Sequence, residues 1–178
     1  MPRHVVLLRG INIGARNRVS MPDLRERLTS AGFGNVRTYV QSGNVVLTSR
    51  MSPQRVAREC EREIADGFGL DIAVVVRSRD ELADVVTRNP LGRVAVDPRR
   101  YQVTFLDGAL APDVVRKLED AVVPPERLVV DDREVYAWHP GGAARSRLWA
   151  RLAGPGLGVT ATARNWTTVT KLLALADD

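Results

Sequence analysis

The chain has 178 residues, of which 44% are hydrophobic and 26% are charged. This composition excludes a disordered tail and a collagen-like array, and it is sufficient for one full domain or two small ones. The net charge is +5, and 24 of the 26 basic residues are arginines. The longest apolar runs, such as Ile72 to Val76, are far shorter than the roughly 20 residues that a membrane helix needs, so we expect no membrane partner.

Local signals in the first half of the sequence predict six elements. Ser20 followed by Pro22 and Asp23 is typical of a helix start, and Ser52-Pro53 predicts a second one. The predicted elements are a strand within 3–9, a helix from 20 to 31, strands at 36–41 and 45–48, a helix from 52 to 68 and a strand at 72–76.

The second half of the sequence repeats this order. Ser78 and Glu81 predict a capping box at the start of a further helix, which Asn89-Pro90 ends. The later predicted elements are a strand at 101–106, a helix at 112–122, strands at 128–130 and 134–138, and helices at 146–153 and 165–176.

The order strand, helix, strand, strand, helix, strand is the split βαβ pattern of a ferredoxin-like fold. We therefore predict an α+β protein, an α/β sandwich with two ferredoxin-like halves packed together and C-terminal helices. The first half covers residues 1–78 and the second covers residues 79–178. The alternative is one mixed sheet with helices on one side and no duplication.

In this topology the end of the first strand and the turn between strands two and three lie at the same edge of the sheet. Exposed helix N–H groups, arginines and side-chain amides are the groups that bind anions or phosphates. We therefore predict ligand-binding residues at this edge, which also carries Asn17 and Arg18: Arg9, Gly10, Asn12, Arg16, Gln41, Ser42, Gly43 and Asn44. The alternative is that these residues only form a long loop and an ordinary turn, with arginines that face solvent.

Several motifs together have a familiar arrangement. They are Leu7 to Gly14, Met21-x-x-Leu24-Arg25, Gly32-Phe33 with Val36, Tyr39 to Val45, and Arg164-Asn165-Trp166 with Lys171-Leu172. With these motifs the chain resembles a bacterial family catalogued as domain of unknown function 1697, from about residue 3 to residue 175.

The resemblance implies a small cytoplasmic α/β protein with paired ferredoxin-like units, and it implies no activity. The family signature falls on Arg9, Gly10, Asn12, on 41–44 and on 164–166. Where the family often has a second glycine and a lysine, this chain has Ala15 and Arg16. Arg16 keeps the positive charge but not the compact geometry of a lysine ammonium.

The sequence contains no cofactor motif. Gly10 and Gly14 lack the spacing of a dinucleotide-binding turn, and there is no P-loop. His4 and His139 belong to no metal-ligand motif, so we expect both to be structural or exposed. We expect Cys60 to be buried among apolar residues, and no base has an evident position beside Ser42.

Two further clusters receive structural interpretations. We expect Asp131, Asp132 and Glu134 to lie in a solvated turn. The predicted strands carry the aromatic residues Tyr39, Tyr101, Phe105, Tyr136 and Trp138, but the first and third strands are aliphatic. The stacking platform of an RNA-recognition module is therefore absent, and we expect the aromatic rings and Trp166 to serve packing.

The leading hypothesis is a protein that binds a phosphorylated or nucleotide-like small molecule at the first sheet edge, with Arg164, Asn165 or Lys171 adding polar groups. The alternatives are a nucleic-acid-binding module that contacts phosphates and a dimerising structural protein. A lone cysteine and a short N-terminal apolar stretch lead us to expect a cytoplasmic location. The sequence does not indicate a reaction.

Overall fold

The computed structural model describes residues 1–178 and contains eight strands and six helices. In chain order the elements are β1 (Arg3–Leu8), α1 (Met21–Ser30), β2 (Gly34–Tyr39), β3 (Asn44–Thr48), α2 (Pro53–Phe68), β4 (Val74–Ser78), α3 (Arg79–Arg88), β5 (Tyr101–Leu106), α4 (Pro112–Ala121), β6 (Arg127–Asp131), β7 (Glu134–Trp138), α5 (Arg147–Ala153), β8 (Ala161–Asn165) and α6 (Trp166–Asp177). No helix has the length and apolar character needed to cross a membrane.

The chain forms two compact units. The first contains residues 1–84 and 172–178, and the second contains residues 85–171. The first unit has a four-stranded sheet with the order β2-β3-β1-β4, and the second has one with the order β6-β7-β5-β8. Every neighbouring pair is antiparallel, so each unit has the predicted ferredoxin-like topology.

The core of the first unit lies between its sheet and helices α1 and α2. Alternate residues of β1, such as Val6 and Leu8, face this core and are buried against Leu24, Leu28 and Ile64 of the helices. Helical spacing of these apolar residues gives each helix one buried face, and both faces pack against the same side of the sheet.

Helices α1 and α2 begin where the sequence predicts, because a serine caps each of them. Ser20 Oγ accepts a hydrogen bond from the Asp23 amide at 3.4 Å, and Ser52 Oγ accepts one from the Arg55 amide at 3.3 Å. Each bond satisfies one backbone N–H of a first helical turn.

A further helix follows the last strand of each unit directly. The predicted capping box at α3 is confirmed: the Ser78 amide donates to Glu81 Oε2 at 2.8 Å, and the Glu81 amide donates to Ser78 Oγ at 3.1 Å. Asn165 has the same place in the second unit, where its Oδ1 accepts from the Thr168 amide at 2.9 Å and caps α6. Sheet registers that pair Ser78 with His4 and Asn165 with Gln102 support this equivalence.

Three element predictions require correction. Strand β8 was not predicted, and Asn165 is its last residue rather than the first residue of the helix. Val40 and Gln41 lie in a turn, not in β2, and Val40 has a φ of 52°, which no extended strand permits. Strand β4 covers Val74–Ser78 instead of 72–76.

Candidate functional site

The first loop, residues 9–20, and the β2–β3 turn, residues 40–43, meet at one end of the first sheet. The Leu8 amide donates to the Gly43 carbonyl at 2.9 Å, and Asn12 Nδ2 donates to the Gln41 carbonyl at 2.7 Å. The split βαβ topology predicts this meeting, because β3 runs antiparallel beside β1 and begins where β1 ends.

The amide side chain of Asn12 holds this region together. Besides its bond to Gln41, Nδ2 donates to the Val19 carbonyl at 3.0 Å, while Oδ1 accepts from the Val19 amide at 2.9 Å. Asn12 also has a φ of 53°, a conformation that asparagine tolerates better than most residues. The amide thus joins both sides of the loop to the turn.

A second asparagine closes the first loop. The Asn12 amide donates to the Asn17 carbonyl at 3.0 Å, and Asn17 Nδ2 donates to the Gly10 carbonyl, also at 3.0 Å. The Arg16 amide donates to the Ile13 carbonyl at 3.1 Å, which forms a small bridge inside the loop. These bonds fix the backbone positions from which Arg16 and its neighbours project.

The departure of the loop from the family pattern causes no backbone conflict. Gly10, Gly14 and Asn17 have positive φ angles, but Ala15 does not. An alanine therefore fits at position 15 without the cost of a left-handed backbone.

The β2–β3 turn is also internally bonded. Asn44 is completely buried, and its Nδ2 donates to the Tyr39 carbonyl at 3.1 Å and to Ser42 Oγ at 3.0 Å. Gly43 has a φ of 83°, and a Cβ atom there would lie only 2.8 Å from Leu8 Cβ. Asn44 and Gly43 therefore support the turn, whereas Gln41 and Ser42 are exposed.

The side chains of three arginines in the first loop take no part in these hydrogen bonds. Arg9, Arg16 and Arg18 are exposed, and their guanidinium groups make no ion pair or hydrogen bond within the chain. No acidic residue occurs from residue 9 through residue 22. Helix α2 is different, because its arginines alternate with acidic residues and Arg62 pairs with Glu59.

Two large aliphatic side chains are exposed in the same region. Ile13 is 66% exposed in the first loop, and Val40 is 54% exposed in the turn. We call the set of exposed residues the first-loop surface; it consists of Arg9, Ile13, Arg16, Arg18, Val40, Gln41 and Ser42. This surface is basic, partly apolar and supported by a bonded backbone.

The C-terminal signature residues belong to the second unit. Arg164 is buried on β8, where its Nη1 donates to Thr162 Oγ1 at 2.7 Å and to the Ala163 carbonyl at 2.8 Å. Burial lowers the pKa of Arg164 to about 10. Asn165 is the helix cap described above, and Lys171 is exposed on α6.

The aromatic residues of the second unit serve packing, as predicted. Trp166 stacks on Tyr101 with ring centroids 4.8 Å apart, and Tyr101, Phe105, Tyr136 and Trp138 are buried. Burial raises the pKa of Tyr101 to about 12. Tyr101 Oη nevertheless has a partner, because it donates to Asn89 Oδ1 at 3.0 Å.

Cys60 and the two histidines are structural. Cys60 lies in the core of the first unit, where burial and then neighbouring glutamates raise the pKa of its thiol to about 12. Such a thiol is a poor nucleophile near neutral pH. His4 Nε2 lies 3.1 Å from the Ser49 carbonyl, and His139 is completely buried. No group of three or more histidine, cysteine or acidic side chains could hold a metal ion.

A partly buried cluster of Glu126, His139 and Ser146 has no signal in the sequence. His139 Nδ1 lies 2.8 Å from Glu126 Oε2, and Ser146 Oγ donates to the same oxygen. Burial opposes ionisation of Glu126, but the bonds from Ser146 and His139 prevail and lower its pKa. Both groups bind one carboxylate oxygen, so the imidazole does not activate the hydroxyl, and Ser146 instead caps α5.

The acidic β6–β7 turn is solvated at Asp132, as predicted, but not at Glu134. Glu134 is buried, not solvated, and pairs with Arg88 Nη2 at 2.9 Å. Asp131 pairs with Arg88 Nη1. Burying a carboxylate requires such a partner, and Arg88 lies on α3, so the sequence around the turn gives no sign of it.

The comparisons with known proteins agree with this architecture. The fold matches that of a conserved bacterial protein from Streptococcus pneumoniae with a TM-score of 0.80, at 23% sequence identity and over 98% of each chain. No curated protein matches the sequence. The family model described as protein of unknown function (DUF1697) matches residues 1–136. The chain therefore belongs to the DUF1697 family.

Proposed function

We propose that the protein binds a phosphorylated or nucleotide-like small molecule at the first-loop surface. One observation carries this proposal: Arg9, Arg16 and Arg18 project from a bonded loop without any carboxylate to neutralise them. Guanidinium groups donate two parallel hydrogen bonds to a phosphate, and these charge-assisted bonds are stronger than neutral ones.

The loop backbone favours binding because its conformation is already set. The side chains of Asn12 and Asn17 fix the loop, so the ligand orders only the arginine side chains and not the backbone. The exposed side chain of Gln41 supplies a neutral hydrogen-bonding group beside the charges. Arg164 takes no part in this proposal, since its guanidinium is buried and bonded on β8.

A thermal-shift screen at constant ionic strength tests the proposal. Nucleotides, sugar phosphates and inorganic triphosphate are compared on the natural protein, on Arg9→Ala and on Arg55→Ala. Arg55 is an exposed arginine of α2 without a partner, so its loss changes the net charge equally. We expect at least one compound to raise the melting temperature of the natural protein and of Arg55→Ala but not of Arg9→Ala. Equal shifts in all three proteins would reject the site.

A second candidate, a single-stranded nucleic acid, is favoured by the exposed Ile13 and Val40 beside the arginines. Aliphatic side chains can contact bases, while the arginines bind phosphates without reading the sequence. Affinity should then fall steeply between about 50 and 200 mM salt. Fluorescence anisotropy with labelled RNA and DNA oligonucleotides measures this dependence, and the absence of binding at low salt excludes this candidate.

A further inference from the structure

A cavity of about 320 Å³ lies at the edge of the first sheet, away from the first-loop surface. It is lined by residues of β1, β2 and β3 together with the C-terminal residue: Arg3, Asn35, Val36, Arg37, Val46, Leu47, Thr48 and Asp178. The volume is at the lower end of the range for small-ligand sites. Two arginines give the cavity a cationic part, and Val36 of β2 gives it a partly exposed apolar side chain, whereas Val46 and Leu47 of β3 are buried.

A β-bulge in the edge strand β2 shapes this cavity. Gly34 pairs with Thr48 and Arg37 pairs with Val46, so three steps along β2 match two along β3. Asn35, inside the bulge, has a φ of 45°. A bulge bends an edge strand and leaves part of its backbone unpaired, and bulges often occur beside binding sites for this reason.

The two arginines of the cavity are held by the last turn of α6. Arg3 Nη1 donates to the Ala176 carbonyl at 2.7 Å, and Arg37 Nη2 donates to the Leu175 carbonyl at 2.5 Å. Each of these bonds uses one of five N–H donors of a guanidinium. Further donors of both arginines remain for another acceptor.

The carboxylate of Asp178 is a weakly held anion at this place. Its Oδ2 lies 3.8 Å from Arg37 Nη1, too far for a hydrogen bond, and the side chain is 75% exposed. Its neighbour Asp177 is held differently, because Arg79 Nε donates to Asp177 Oδ1 at 2.6 Å. Asp178 can therefore move away from Arg37 at little cost.

We propose that this cavity binds a small organic anion and that Asp178 competes with the ligand for Arg37. The anionic group of the ligand, a carboxylate or a phosphate monoester, takes the place of the Asp178 carboxylate beside the guanidinium. The apolar part of the ligand contacts Val36, which is only partly buried. This site is separate from the first-loop surface and does not depend on the function proposed for it.

Isothermal titration calorimetry with benzoate and phenyl phosphate at constant ionic strength tests the proposal. Asp178→Asn should bind one of these probes about two- to fivefold more tightly than the natural protein, which is the effect of removing an exposed ion pair. The control, Asp71→Asn, makes the same charge change at an exposed aspartate without an ion pair and should leave affinity unchanged. Arg37→Gln should weaken binding about tenfold or more.

The results distinguish binding in this cavity from binding at the first-loop surface. The gain in affinity caused by Asp178→Asn should be the same in an Arg16→Ala background, whatever the effect of Arg16→Ala on phosphate-bearing ligands at the first loop. Asp178→Asn alters only an exposed side chain, so its result stands even if Arg37→Gln loosens the C-terminal turn. No binding of either probe to Asp178→Asn, or equal affinities of Asp178→Asn and Asp71→Asn, would overturn the proposal.

Discussion

Arg9 and Asp107 occupy equivalent positions in the two units, and their backbones make the same hydrogen bond. The Arg9 amide donates to the Ala73 carbonyl at 2.9 Å, and the Asp107 amide donates to the Thr160 carbonyl at 3.0 Å. Their side chains differ in charge and in hydrogen bonding. Arg9 is exposed and unpaired, while Asp107 Oδ1 accepts from the Thr160 amide at 2.9 Å.

The turns beside these two residues also differ in charge. In the first unit the β2–β3 turn carries neutral polar residues, and the nearby arginines have no carboxylate partner. In the second unit the β6–β7 turn is acidic, and Arg88 pairs with Asp131 and Glu134. One backbone architecture thus supports a basic surface in the first unit and a neutralised one in the second. We therefore restrict the proposed phosphate site to the first unit.

The role of Asn12 predicts a measurable loss of stability. Asn12→Gly removes the three side-chain bonds to Val19 and Gln41, and it should lower the free energy of unfolding by about 2 kcal/mol. Asn12→Ala should cost about 1 kcal/mol more, because alanine tolerates the left-handed backbone less well than glycine. Urea unfolding measures both changes. A glycine variant as stable as the natural protein would contradict this role.

The close contact at Gly43 predicts a difference between two glycine substitutions. Gly43→Ala combines a positive φ with a Cβ placed 2.8 Å from Leu8 Cβ, and it should destabilise the protein by about 3 kcal/mol. Gly32→Ala has a positive φ but nothing within 4 Å, so it should cost only about 1 kcal/mol. Equal losses of stability for the two variants in chemical denaturation would show that the contact has no effect.

Two buried tyrosines should respond oppositely to the loss of their hydroxyl groups. Tyr136 Oη is buried without a hydrogen-bond partner, so Tyr136→Phe should leave stability unchanged or raise it by about 1 kcal/mol. Tyr101 Oη donates to Asn89 and accepts from the Leu91 amide, so Tyr101→Phe should cost about 1 kcal/mol. Thermal denaturation at neutral pH compares them, and a destabilised Tyr136→Phe would contradict this assignment.

The stability of the Tyr136→Phe variant at alkaline pH provides a second test. Burial is the main cause that raises the pKa of Tyr136 in the folded protein above its ordinary value. Below about pH 10, the pKa of tyrosine in the unfolded chain, the phenol is neutral in both states and the folded protein keeps its full stability. As the pH rises above this value, the phenol ionises first in the unfolded chain, and the folded protein loses stability relative to it. Tyr136→Phe should therefore lose less stability than the natural protein between pH 10 and pH 11. Parallel losses would contradict the raised pKa.

Much of the fold could be predicted because its signals are local in sequence. Ser20, Ser52 and the pair Ser78–Glu81 cap helices through bonds that span three residues. The six-element order then determined all the antiparallel neighbours in the first unit and the pairs among β5, β6 and β7 in the second. Strand β8 was missed because two of its residues are alanines and because it buries Arg164 where an apolar residue is expected.

The sequence predicted that the first loop and the β2–β3 turn meet at one sheet end, but not the structural roles of the asparagines there. The topology placed Asn12 and Asn44 at the correct sheet end, and both appeared suited to a ligand. Their amides instead bond to backbone groups, and the Asn12 bond to Gln41 joins residues 29 positions apart. The sequence contains no signal for such a long-range bond. The arginines without partners are therefore the main candidates for ligand contacts.

The affinity for inorganic triphosphate, measured by calorimetry at constant ionic strength, tests the central claim most directly. Arg16→Ala/Arg18→Ala is compared with Arg55→Ala/Arg58→Ala, which removes two exposed, unpaired arginines from α2 and has the same net charge. We predict that the first-loop variant binds at least about tenfold more weakly than the natural protein, while the α2 variant stays within about twofold. Equal affinities of the two variants would contradict a phosphate site at the first loop.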